Sequence, residues 1–174
     1  MSAGADAVAA AAPADGPAVS ALDWRWKRFD DLSVHELQHI YMARQQVFAV
    51  EQQCAFLDAD GCDEQAFHLA AWSAAERMPI AYARVLDPGV KYADAASIGR
   101  VITTAAGRGT GLGRELMQRA VAATVRVWPS VAIRISAQSR LEAFYASLGF
   151  AIVGERYIED GSPHTEMLLA PSGG

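Results

Sequence analysis

Residues Ser97 to Trp128 constrain the fold more than any other stretch of the chain. Ser97 to Thr104 is short, apolar and β-branched, as a buried strand should be. Arg108-Gly109-Thr110-Gly111-Leu112-Gly113-Arg114 follows. Leu112, Leu116, Ala120, Thr124 and Val127 then recur at helical spacing and predict one apolar helix face. The junction carries the chemistry. The first N–H groups of a helix have no partner within it and lie at the positive end of its dipole. Glycines let the turn curl so that several N–H groups converge, and they let a phosphate reach the backbone. Arg108 and Arg114 add a full positive charge on either side. The pattern predicts a pyrophosphate cradle. It is not a Walker A loop, because no Gly-x-x-x-x-Gly-Lys-Ser/Thr run occurs. It is not a dinucleotide fingerprint either, because the sixth position after Gly109-Thr110-Gly111 begins is Arg114.

The remaining elements fall on both sides of this unit. Residues 1–21 are rich in Ala, Pro and Gly, contain Asp6 and Asp15, and lack the basic start of a signal peptide; they read as a flexible leader. Residues 22–174 read as one domain, which suits a chain of 174 residues. Trp24 to Phe29 alternates apolar and basic residues, as in a half-buried strand. Ser33-Val34-His35-Glu36 is a capping box, and the helix it opens runs on to Glu51. Phe67 to Ser73 and Ile80 to Leu86 form a hairpin. Val131 to Ala137 is a strand, and Ser139-Arg140-Leu141-Glu142 is a second capping box, with Gly149 closing the short helix. Phe150 to Ile158 and His164 to Leu169 are strands around residues 159–163. Hairpins and a strand–helix–strand crossover in one chain imply a mixed sheet with helices on both faces. The formal net charge of −5 argues against a nucleic-acid partner, and no stretch is long and apolar enough for a bilayer. Cys54 and Cys62 have no metal-ligand spacing and read as free thiols. Asp58, Asp60, Asp63 and Glu64 lack the terminal Glu of a calcium loop and read as a solvated turn. No metal is expected.

Arg108 to Gly113 spells Arg-x-x-Gly-x-Gly, and Phe144-Tyr145-Ala146-Ser147-Leu148-Gly149-Phe150 follows behind the next strand. In that order and separation, the two blocks resemble the coenzyme A signature and the helix-to-strand junction of the GNAT superfamily of N-acetyltransferases. Gln138 falls where many members carry Asn. A closer resemblance runs from Leu22 to Leu168 and points to the ElaA family. It is carried by residues 44–52, Asp58-Ala59-Asp60-Gly61, Tyr82-Ala83-Arg84, Ile98-Gly99-Arg100-Val101 and Glu159-Asp160-Gly161-Ser162-Pro163-His164. The resemblance implies an α/β fold with a GNAT-like mixed, mostly antiparallel central sheet. It implies acetyl-CoA (coenzyme A) as cofactor and a small-molecule amine or peptide amine as acceptor. The leader without signal-peptide features reads as that of a cytoplasmic protein, expected to be a monomer or homodimer. Acyl-homoserine-lactone synthases share this general fold, but no feature of the chain selects their chemistry.

On that resemblance, Arg108, Gly109, Thr110, Gly111, Leu112, Gly113 and Arg114 hold the pyrophosphate. Val101, Ile102 and Thr103 pair through their main chain with the pantetheine arm, on a strand splayed from its neighbour, and a backbone N–H faces the thioester oxygen. Gln138 and Phe144 complete the cofactor site. Tyr145 is the candidate general acid, since a phenol near pKa 10 can serve a departing thiolate. The base is open among Glu51, His68, Asp160 and His164, because Ile98-Gly99-Arg100 offers no carboxylate where many members carry Glu. That gap keeps a second reading alive, a non-catalytic acyl-CoA-binding or sensing module. A purely structural protein would need neither the alternating glycines nor both arginines.

Overall fold

The computed structural model describes residues 22–171; the expected leader lies outside them. The elements in chain order are β1 (Asp23–Arg28), α1 (Val34–Gln45), β2 (Ala66–Trp72), β3 (Ala81–Leu86), β4 (Ala95–Thr103), α2 (Leu112–Val127), β5 (Ala132–Gln138), α3 (Glu142–Ala146), β6 (Ala151–Ile152), β7 (Tyr157–Glu159) and β8 (Ser162–Leu169). All strands join one sheet in the order β1-β2-β3-β4-β5-β8-β6, with β7 also on β8. Only β4 and β5 run parallel; the other pairings are antiparallel. Strand side chains alternate between faces, so neighbours along a strand serve different layers. Ala70 and Tyr82 pack with Ile40, Ala43 and Val47 of the first helix and its extension. Leu69, Ala71, Ala81 and Ala83 pack on the other face with Leu112, Leu116, Met117 and Ala120 of α2. The expected mixed sheet between helices is what the chain forms. No helix among the described residues is long and apolar enough to cross a membrane.

The first capping box closes as the sequence predicts. Ser33 Oγ accepts from the Glu36 N–H, and the Glu36 carboxylate accepts from the Ser33 N–H at 2.8 Å. The same carboxylate takes Lys27 and Arg25 of β1 at 2.9 Å each. Burial pushes Glu36 up, but the Ser33 N–H and the two cations outweigh it and hold the carboxyl at about 2. A folded value below the ordinary 4.5 means this stability is complete above that pH and is lost as pH falls toward 2. Urea midpoints should therefore show wild type and Glu36→Gln far apart at neutral pH and converging between pH 4.5 and 2. A constant gap would contradict the assignment.

Five expectations need correction. The second capping box does not form: α3 starts at Glu142 with Leu141 as its cap and a turn of 3-10 helix before it. Ser139 Oγ pairs with Thr165 Oγ1 at 2.9 Å, while Glu142 is taken by Thr165 and by a fork from Arg156 at 2.9 and 2.8 Å. Partners from distant elements win over the local pair. The long strand from Phe150 to Ile158 is two short ones, β6 against Leu168 and Met167 and β7 against His164 to Ser162. The loop expected at residues 159–163 is only the two-residue turn Asp160-Gly161, both at positive φ, the geometry an Asp-Gly hairpin favours. Val127 is 40% exposed, because α2 buries Met117 and Ala123 beside its upper stripe instead. Finally, the acidic stretch 58–63 is not a freely solvated turn, because its carboxylates are paired. Asp63 is 3% exposed and pairs with Arg44, itself 0% exposed, at 2.7 Å and with Arg84 at 3.1 Å. Asp58 and Asp60 extend the network to Arg44, Arg84 and Arg100.

Candidate functional site

The parallel pair at the sheet centre parts company early. Ala95, Ala96 and Ser97 of β4 pair with Ala132, Ile133 and Arg134 of β5, and then the pairing ends. From Ile98 to Thr103 the β5-facing main-chain groups of β4 have no strand partner. On its other side β4 carries a bulge opposite Ala83, where the register with β3 shifts. Arg100 sits in that bulge with φ 52°, a conformation that costs a non-glycine residue about 1–3 kcal/mol. It is held there by Asp58 Oδ1 at 2.8 Å and Asp60 Oδ2 at 3.0 Å. Those aspartates are in turn fixed by Arg44 and Arg84. The buried ion network is a brace that ties α1, β3 and the loop between them to the bulged strand.

The splay leads to the turn before α2. Gly109 (φ 75°) and Gly111 (φ 83°) are both left-handed, and a Cβ at either would meet open space. They are glycine for their backbone angles, which leaves room above the turn. Gly111 caps α2 without any side chain. The N–H groups of residues 109–113 have no close acceptor among the described residues, so five unclaimed donors lie at the start of α2, where an anion is favoured. Gly107, which sequence reasoning did not single out, is a close-approach glycine: a Cβ there would lie 2.8 Å from Leu112 Cδ2 and 3.0 Å from the Ile80 carbonyl. Arg114 reaches Ser147 Oγ at 2.7 Å and lies over the Phe144 ring. Arg108 donates to the Thr103 carbonyl at 3.0 Å and pairs with the Glu51 carboxylate. An anion in the turn must compete with Glu51 for this guanidinium.

The splayed strands form two walls of a cleft that Val101, Gln138, Tyr145, Asp160 and His164 all line. Tyr145 is 7% exposed, edge-on to Phe144 and Phe150, and burial pushes its hydroxyl up to about 12. His164 Nδ1 donates to the Ser162 carbonyl at 2.9 Å. A carbonyl only accepts, so in the neutral ring Nε2 carries the lone pair. Glu159 Oε2 is 4.0 Å from that nitrogen. Among the other base candidates, Glu51 is committed to Arg108 at the turn, and Asp160 is at the exposed tip of the β7–β8 hairpin. His68 is 1% exposed and saturated by the Tyr82 hydroxyl at 2.8 Å and the Asp63 carbonyl at 3.0 Å. Burial pushes its pKa down; it is a core residue, and it leaves the list of candidates. Ile102 and Leu112 point their side chains into the core, so only their main chain is available to the site. Both cysteines are free thiols.

Sequence reasoning missed Arg100 with Asp58 and Asp60, and, on the cleft wall, Ser136, which Tyr157 contacts, and Glu159. The Asp-Gly pair was the available signal for the last of these. Read as a two-residue hairpin turn, it sets Glu159 opposite Ser162 and on the face that carries His164.

Residues 49–170 match the acetyltransferase (GNAT) domain family. An acyl-CoA N-acyltransferase from Pseudomonas aeruginosa is 41% identical, with a TM-score of 0.81 over 86% of this chain and 100% of that one. Escherichia coli ElaA is 35% identical, with a TM-score of 0.79 over 85% of this chain and 99% of that one. A UPF0039 protein of Synechocystis is 39% identical over 85% of this chain and 95% of its own length. The acyl-homoserine-lactone synthase LasI, 12% identical with a TM-score of 0.71, shares the fold.

Proposed function

The chain belongs to the ElaA family of the GNAT acetyltransferases, and on that premise we propose that it is an acetyl-CoA-dependent N-acetyltransferase. It moves an acetyl group to a primary amine by direct attack of the amine on the thioester. The observation that carries this reading is the free β4 edge, which lines the cleft at Val101 and leads along the chain into the donor-rich turn. Five unclaimed N–H groups and two arginines fit a diphosphate. Arg108, Arg114 and the main chain of Gly109, Thr110, Gly111, Leu112 and Gly113 would hold it. The β4 edge of Val101, Ile102 and Thr103, which has no strand partner on the β5 side, fits the amides of a pantetheine arm, with the Thr103 carbonyl held by Arg108 and Gln138 and Phe144 alongside. Bound acetyl-CoA supplies the activated thioester.

The chain's own groups supply the rest. The β4 edge offers fixed N–H dipoles to developing oxyanion charge. His164 Nε2 is free to take the amine's proton, which makes good the missing carboxylate on β4; a binding-only module would have no use for such a group. Tyr145 stays protonated at neutral pH. Full transfer of its proton, from about 12, to a thiolate of ordinary basicity runs uphill by about 5 kcal/mol. Its role is thus to donate a hydrogen bond to the departing sulfur. Such a bond to a charged group contributes about 1.5–3 kcal/mol.

Release of the coenzyme A thiol from acetyl-CoA, measured with and without ethylamine, spermidine, lysine and a peptide N-terminus, tests the reading. Thiol release is expected to depend on at least one amine, and Tyr145→Phe should lower kcat roughly 10- to 100-fold with little change in the KM for that amine. Release that ignores all amines and is equal in the variant would contradict it.

A further inference from the structure

α1 covers the β2, β3 and β4 part of its sheet face. The same face of β5, β7 and β8 is left to the cleft, and it is polar. Strand alternation and register bring Ser136, Tyr157, Glu159 and His164 together there. Ser136 Oγ is 2.5 Å from Glu159 Oε2 and 2.5 Å from the Tyr157 hydroxyl. A serine has one hydroxyl hydrogen, so the direction of the chain is settled if Glu159 is ionised: Tyr157 donates to Ser136, and Ser136 donates to the carboxylate. Both hydroxyls thus orient Glu159 as an acceptor.

The charge balance around this carboxylate differs from that of the paired carboxylates near it. Asp58, Asp60 and Asp63 are matched by arginines on the cleft floor, Glu51 by Arg108, Glu142 by Arg156 and Glu166 by Arg134. Glu159 has no Lys or Arg within ion-pair distance among the described residues; the titratable groups that face it are the His164 ring and the Tyr157 and Tyr92 phenols. Tyr157 and Gln138, which flank His164 across the strand pairings, are neutral. Asp160, Arg140 and Lys91 line the same cleft; Arg140 is turned onto Gln138 at 2.9 Å, and Lys91 lies over the Tyr92 ring. Neither cation is paired with Glu159, whose carboxylate faces the cleft. The lone pair of His164 Nε2 lies 4.0 Å away, and a single nitrogen can sit at hydrogen-bond distance, about 2.9 Å, from both.

We propose that Glu159 and His164 form the subsite that takes the acceptor as an alkylammonium ion, Glu159 holding its charge and His164 Nε2 removing its proton. The inference rests on the acyl-transfer reading above for the identity of the bound nitrogen as the acceptor's. One proton passes from the ammonium to Nε2, and the freed electron pair forms the new C–N bond. The C–S bond breaks with its electron pair going to sulfur. The nitrogen's second proton leaves as the amide forms and ends on the thiol. The imidazolium so created stands beside the Glu159 carboxylate, which stabilises it. The substrate class follows from the charge. Aliphatic amines, ionised at neutral pH as lysine is, fit the subsite; arylamines and alcohols, neutral at that pH, do not.

Titration of ethylammonium chloride into the full chain, read by NMR at the His164 imidazole and matched against potassium chloride, tests this without turnover. Wild type is expected to show a saturable shift in the millimolar range. Glu159→Gln should weaken it by about tenfold or more, the value of a charge-assisted hydrogen bond. Glu159→Asp, which keeps the charge, should retain part of the binding, and aniline should give no saturable shift. Ethylammonium that shifts wild type and Glu159→Gln alike, or that shifts neither, would overturn the proposal, as would aniline binding equally well. Calorimetry with acetyl-CoA on the same samples keeps the two claims apart: a chain that binds ethylammonium through Glu159 but not acetyl-CoA retains the subsite and loses acyl transfer.

Discussion

Asp63→Ala is expected to cost about 3–5 kcal/mol of folding stability, the range for removing one partner of a buried ion pair. Asp63 receives Arg44 at 2.7 Å and Arg84 at 3.1 Å, and the arginine side chains are 0% and 5% exposed. Burial pushes the carboxyl up, but the hydrogen bond and charge of Arg44, with help from Arg84, bring it below the usual range. The alanine variant would leave Arg44, Arg84 and Arg100 with only Asp58 and Asp60 between them, an excess of positive charge largely away from water. Domains of this size are stable by only about 5–15 kcal/mol, so the loss is a large fraction of the total and corresponds to roughly 6–20 °C in Tm. Denaturant or thermal unfolding reads it directly. The variant should also lose activity below its melting temperature, because Arg84 passes through Asp60 to Arg100 and hence to the bulge of β4. A loss under about 1 kcal/mol, the scale of an exposed pair, would show that the network does not brace the fold.

His164→Ala is expected to lower kcat by about 10²–10⁴-fold, the usual worth of a general base, with acetyl-CoA affinity unchanged. The imidazole is fixed through Nδ1 to the Ser162 carbonyl, so the truncation removes the Nε2 acceptor without disturbing a buried core. Asp160 sits at the hairpin tip, and Asp160→Asn should keep the wild-type rate. Equal rates for wild type and His164→Ala would remove His164 from the chemistry.

The parts of this site that follow from local rules were legible in the sequence. Left-handed angles at Gly109 and Gly111, a helix starting at Leu112, and a strand before it are each dictated within a few residues. The same holds for the Ser33 capping box, where both hydrogen bonds are local. What depends on topology was not. Asp58, Asp60 and Asp63 look like a solvated run until α1, β3 and β4 each deliver an arginine to them. Ser139 and Glu142 have the spacing of a cap, yet Thr165 and Arg156, brought in by β8 and the chain before β7, take their side chains. Glu159 escaped attention because a single hairpin register decides whether it or Asp160 shares a face with His164. The splay of β4 from β5 was expected from the family resemblance alone, since nothing in the residues of either strand announces where a parallel pairing stops.

The central claim is that the turn before α2 is a coenzyme A cradle fed by the free edge of β4. Calorimetric titration of acetyl-CoA tests it most directly, comparing wild type with the double variant Arg108→Ala/Gly111→Ala. Wild type is expected to bind with one site per chain, and the folded double variant to lose binding, because it lacks one of the cradle's two arginines and forces a Cβ onto a residue at φ 83°. Glu51→Gln should bind more tightly than wild type, since Arg108 is then released to the ligand. A folded wild-type protein that gives no heat with acetyl-CoA, or a double variant that binds as well as wild type, would contradict the account.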